Sequence, residues 1–232
     1  MACALSTMGG TGKNDRQRQG SLSRMKSKTS EMFEDGKSVQ SPSAAASLRD
    51  ALRIATAEVH ERLHHHIGFA AVQAGTIDHG TYALLLSRPY GFYRPFEATA
   101  ELSPERTRWL ESDLTALNVD GAAREKLPRC STFPSHFSPD HILGARYVVE
   151  GSALGGRGMA RQLDALLGPQ AGAGRHFFSG HGAATGVVWR EYLALLSAVP
   201  SSARRNTAII DGANATFALF EQWLAGWNNN HD

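Results

Sequence analysis

The sequence predicts an all-α fold, a single-domain helical bundle, on three observations. Apolar residues recur at helical spacing through several long segments. Nothing alternates with period two for long enough to build a sheet. The segments are punctuated by residues that start and stop helices.

The first helix opens at Ser47, a good N-cap, and carries the stripe Leu48, Leu52, Ala55, Val59 and Leu63. A second is expected from Asp78 to Ala100 through Tyr82, Leu85, Leu86, Phe92 and Phe96, with bends at Pro89 and Pro95. A third runs from Pro104 to Leu117, with proline at its start. After a loop around Pro128 to Pro134, Ser138-Pro139 opens a long central segment reaching Leu167, stopped by Gly168 and Pro169. Ala183 to Ala198 and Ala203 to Trp227 complete the set. No repeat at solenoid period is present.

Residues 1–46 differ in kind. They are rich in Ser, Gly, Lys and Arg, poor in large apolar residues and without periodicity, so a disordered basic tail is expected. A plain solvated tail is preferred to an organelle transit peptide, and no apolar core of a secretory signal occurs. Residues 47–228 form the expected folded domain and residues 229–232 a polar end.

The 232 residues, 42% hydrophobic, are enough for one sizeable core. With 24 basic against 22 acidic residues the balance argues against a nucleic-acid partner. The two cysteines, Cys3 and Cys130, have no metal spacing and suit a reducing compartment. No apolar run approaches the roughly 20 residues of a bilayer span. A soluble, cytoplasmic protein is expected.

Two stretches stand out chemically. Tyr147 to Gly158 opens as helix and then holds Gly151, Gly155, Gly156 and Gly158, although each glycine in a helix interior costs roughly 1 kcal/mol relative to Ala. A helix end, a close helix crossing, or a flat group lying against the bare face of Gly151 and Gly155 would each explain them. The end of the first helix crowds His60, His64, His65 and His66. They suit a helix C-terminus electrostatically. Glu61 and His64 make one Glu-x-x-His element, but a di-iron bundle needs a second, which is missing. A single histidine is enough to ligate a haem iron.

Here a resemblance enters. The segment Leu52 to Leu63, LRIATAEVHERL, resembles the proximal helix of the heme oxygenase family, and Tyr147 to Gly156 resembles its distal helix. Tyr90-Gly91-Phe92-Tyr93 with Pro95 and Glu97 is similar to a segment of bacterial members. So are Phe177-Phe178 with Gly180, Thr185-Gly186, Trp189, and Ala215-Thr216-Phe217 with Phe220 and Trp223-Leu224. These matches span Ser47 to Gly226 in family order.

The resemblance implies a heme oxygenase-type bundle in which His60 is the proximal iron ligand. Gly151 and Gly155 take the places of the distal glycines, whose backbone sits close over the haem, and Gly156 continues that turn; these three are the expected catalytic positions. It places Arg53 and Arg190 where basic residues meet haem propionates, Tyr147 at a propionate or in the core, and Phe217 and Phe220 at the porphyrin or in the core. Two departures follow: His64 stands where many members have an acidic residue, and Arg146 where an apolar or aromatic one is usual.

By the same resemblance, haem is both substrate and prosthetic group. It is cleaved with O2 and electrons to biliverdin, carbon monoxide and ferrous iron. No triad or paired-carboxylate motif is required, and none is found. The chain lacks a dinucleotide fingerprint and an iron–sulfur cysteine cluster, so electrons are expected from a ferredoxin or flavoprotein reductase. Arg53 and Arg62 offer that donor a basic surface. A biliverdin acceptor such as a photoreceptor is the expected downstream partner. The rivals are a haem carrier or sensor of the same fold and a bundle that binds no haem.

Overall fold

The computed structural model describes residues 47–133, 137–169 and 172–227. The expected tail and the whole of the expected polar end, residues 229–232, lie outside them. Helices dominate, and there is no strand among the described residues. None of these helices is long and apolar enough to cross a membrane.

In chain order they are α1 (Leu48–His64), α2 (Ile67–Ala74), α3 (His79–Thr99), α4 (Glu105–Ala116), α5 (Gly121–Glu125), α6 (Pro139–Gln162), α7 (Asp164–Leu167), α8 (His176–Ser179), α9 (Thr185–Ala198) and α10 (Ala203–Leu224). The starts follow the expected chemistry. Ser47, Asp78, Ser138 and Ser202 each accept a backbone N–H of the first turn, satisfying donors that a helix leaves unpaired. Pro104 has no such side chain. Glu97 reaches across from α3 instead, accepting the N–H groups of Arg106 and Thr107 at 3.0 and 3.1 Å and the Thr107 hydroxyl at 2.6 Å.

As expected, the helix runs past its glycines, none of which ends α6. Two expectations change. The central segment is two helices, because α6 ends at Gln162 and α7 begins at Asp164. The histidine cluster is also divided, since His66 leaves α1 and stands at the N-cap of α2.

α6 packs chiefly on α10, and the crossing is built on glycine. A Cβ at Gly144 would strike the Ile209 backbone, and one at Gly212 the His141 backbone. α3 pairs with α4, and Phe92, Phe96, Tyr93 and Phe220 interlock between α3 and α10. α1 lies on α10 and touches α9, while α6 contacts both of those helices too. Yet α1 and α6 make little direct contact with each other. The two helices are thus linked through α9 and α10 rather than by packing on each other.

Candidate haem site

On the α1 side the key group is His60. It is half-buried, with its ring edge-on to Phe217 of α10 at 6.3 Å and to His64 at 4.6 Å between centroids. Burial, then the neighbouring His64, hold the His60 imidazole below the ordinary histidine range, so it is neutral at pH 7. His64 is lowered too, mainly by burial. A neutral imidazole is the form that can donate its lone pair to a metal. No group of three or more potential metal-binding side chains occurs among the described residues. Any iron here would therefore depend on one axial nitrogen and the group that carries it.

α1 is fastened to α10 one turn from Phe217. Arg62 donates to both carboxylate oxygens of Glu221, at 2.6 and 2.9 Å, and to Glu58 at 2.9 Å. Its charge is thereby compensated, although both it and Arg53, the basic pair suggested above, are exposed. His65 pairs outward with Glu61 at 3.1 Å.

On the α6 side the glycines separate by what surrounds them. A Cβ at Gly156 would lie 2.6 Å from the Phe178 carbonyl oxygen, so glycine there is demanded by close packing on α8. A Cβ at Gly158 would meet nothing within 4 Å. At Gly151 the described neighbours would be the Trp189 ring, 3.6 Å away, an ordinary contact that any alanine makes. The protein's own packing thus does not ask for glycine at Gly151. Gly155, one turn on and buried, continues the same face.

The remaining expected residues spread around these two. Tyr147 is half-buried, its ring 5.6 Å from Trp189, which stacks in turn on Tyr192 at 5.5 Å. Arg146 lies over Tyr192 at 5.7 Å, away from the Gly151 face. Arg190 is exposed on α9, and Arg53 on α1. Phe217 meets His60, but Phe220 sits in the aromatic core, 5.0 Å from Phe92 and 6.2 Å from Tyr93.

Sequence reasoning missed a buried ion pair beside Gly151. Arg106 of α4 donates to Glu150 at 2.7 Å with both side chains nearly excluded from solvent, and its guanidinium lies over Trp109. His181 approaches Glu150 and Glu105 at 3.9 and 4.0 Å. The two partners are 44 residues apart. No local pattern could have joined them.

The donor set fits a haem. One neutral imidazole stands on α1 with an aromatic ring beside it, and α6 carries at Gly151 a glycine that its described packing does not require.

The family model described as heme oxygenase matches residues 46–226. Two solved structures share the fold. The heme oxygenase of Leptospira interrogans is 20% identical with a TM-score of 0.66, covering 78% of this chain and 99% of that one. Heme oxygenase-1 of the cyanobacterium Synechocystis sp. PCC6803, solved in complex with heme, is 17% identical with a TM-score of 0.65, covering 80% of this chain and 94% of that one. No curated protein matches the sequence.

Proposed function

The chain belongs to the heme oxygenase family, and from that premise we propose that it binds haem between α1 and α6 and cleaves it at a meso carbon to biliverdin, carbon monoxide and ferrous iron. The observation that carries this reading is the pairing of a neutral His60 with a helix face at Gly151 that has no side chain and no packing reason to lack one.

Haem, when bound, supplies the O2 activation and the carbon that is attacked. The protein's share is ligation, orientation and exclusion. His60 would hold the iron, with Phe217 edge-on to its ring and the Arg62–Glu221 clamp fastening its helix to α10. Gly151 and Gly155 would let the α6 backbone approach the haem closely, where a side chain would fill space needed by O2. Gly156 keeps that backbone seated on α8. Arg53 and Arg190, both exposed at the rim, are cations suited to propionates and would set the haem's rotation and so the carbon attacked. Tyr147 packs on Trp189 of α9. Phe220 acts by supporting Phe92 and Tyr93 from α10.

No residue here stores electrons. The proposed donor is a separate ferredoxin or flavoprotein reductase, and the proposed product acceptor a biliverdin-using protein such as a photoreceptor. The proposed setting is the cytoplasm.

The test is spectroscopic. Purified protein mixed with haem should give a Soret band that decays to a biliverdin spectrum after ascorbate is added in air, and His60→Ala should fail. A band that persists even with a competent reductase would mark a carrier or sensor. No band at all would remove haem from the account.

A further inference from the structure

Behind the glycine face of α6 stands a carboxylate that the haem site does not use. Asp113 of α4 is fully buried and accepts the backbone N–H groups of His176 and Phe177, each at 2.8 Å, with His176 Nδ1 3.1 Å away. Those two amides open α8, which has no capping side chain of its own. A charged acceptor on unpaired first-turn amides is a strong anchor.

α8 is in turn pressed against α6. The Phe178 carbonyl oxygen and Cα would stand 2.6 and 3.2 Å from a Cβ at Gly156, and just beyond, a Cβ at Gly180 would stand 3.2 Å from that of Ala153. Phe178 stacks on Tyr82, and Phe177 meets Tyr93 edge-on, so α8 cannot move away from α6 without opening the core. The segment leading into α8 is tied to the same place. Arg175 donates to the Ala160 carbonyl at 3.1 Å and pairs with Asp164, and Tyr82 donates to the Gly174 carbonyl at 2.7 Å.

We propose that Asp113 is a positioning residue for haem cleavage, acting on α6 through α8. By fixing the first turn of α8, it holds the Phe178 carbonyl against Gly156 and so sets how closely the Gly151–Gly155 backbone approaches the haem. The proposal rests on the function above for its haem and stands without it as a statement about α8 and α6.

Two measurements on full-length Asp113→Asn test it. In the haem-free protein, amide hydrogen exchange should quicken about tenfold in residues 176–179 and in 155–160 of α6, with α1 unchanged. In the haem-loaded ferrous protein, the C–O stretch of bound carbon monoxide should shift while the iron–histidine stretch stays in place, because only the α6 side has moved. Faster exchange confined to α8, or an unmoved C–O band, would overturn the proposal. If Asp113→Asn does not fold, Gly156→Ala loads the same contact from the α6 side and should shift the C–O band, whereas Gly158→Ala should not; equal behaviour of the two would also overturn it. Wild-type protein that binds no haem would defeat the proposed function, and the exchange comparison would still decide the brace.

Discussion

Arg62 on α1 and Glu221 on α10, 159 residues apart, meet in a two-pronged ion pair at 2.6 and 2.9 Å, two residues from His60. It is the polar fastening of the helix that presents the candidate ligand. Because Arg62 is half exposed, solvent screens the charges, and its value lies more in fixing geometry than in global stability. Double-mutant cycles of Arg62→Ala and Glu221→Ala should show a small favourable coupling in thermal melts that shrinks as salt is added. Haem dissociation should quicken in either single variant more than the melting temperature falls.

Gly144 and Gly158 lie on the same helix, yet alanine should have opposite effects at the two. At Gly144 the new methyl would enter the Ile209 backbone and prise α6 from α10, a steric fault at the high end of, or beyond, the usual 1–3 kcal/mol for overpacking. At Gly158 there is open space, and replacing a mid-helix glycine should stabilise by about 0.5–1 kcal/mol. Denaturant unfolding of the two variants reads the signs directly.

Gly151→Ala should separate stability from activity. Its methyl would touch Trp189 at an ordinary 3.6 Å, so the fold should be unharmed or slightly more stable through better helix propensity. Turnover of haem should nonetheless fall by at least about tenfold, roughly 1.4 kcal/mol of barrier, if the bare face serves the ligand. Equal turnover in the variant would return Gly151 to the status of an incidental glycine.

The Arg106–Glu150 pair gives a third contrast. Both side chains are nearly excluded from solvent, so removing one partner leaves a buried charge without its close hydrogen bond. Glu105 at 3.8 Å from Arg106 and His181 at 3.9 Å from Glu150 give the survivor partial compensation. Glu150→Ala or Arg106→Ala should therefore each cost about 3 kcal/mol, the low end for a broken buried pair, whereas an apolar double replacement should recover most of the loss. Chemical denaturation of the three variants tests it.

How much of this was legible beforehand follows from the range of each interaction. The long helices were readable because their apolar stripes and caps are local: α1 from Ser47, α4 from Pro104, and α10 from Ala203, though it ends at Leu224 and not at the expected Trp227. α2 was missed because Ile67–Ala74 is apolar almost throughout and only eight residues long, giving no period to read. α8, four residues held by Asp113 from 63 residues away, has no local signal at all. The glycines were visible as a group, but which served packing and which did not depended on Phe178, Trp189 and Ile209, contacts made only in the folded chain. Of the candidate site, His60 and its neighbour Phe217 could be picked out, while the buried Arg106–Glu150 pair could not.

His66 carries the pH dependence most simply. It is not among the candidate haem-site residues, its ring lies between Phe69 at 5.4 Å and Trp227 at 5.5 Å, and neither buried ring nitrogen makes a well-formed hydrogen bond among the described residues. Burial lowers its pKa below the ordinary 6.5, and the Leu224 carbonyl only partly offsets this. The folded state therefore binds its proton less readily than the unfolded state does. Above about pH 6.5 both states are neutral and this contribution is complete; below it the unfolded chain takes up the proton first, and stability falls until the folded-state value is passed. The slope for this one group cannot exceed about 1.4 kcal/mol per pH unit. His60 and His64, lowered in the same direction, add to the same acid loss. His66→Phe, which keeps an aromatic ring in the slot and removes the proton, should flatten the fall in stability between neutral pH and pH 5 without abolishing it. Unfolding free energies measured across that range would show the difference, and a variant with the wild-type slope would exclude His66 as a source.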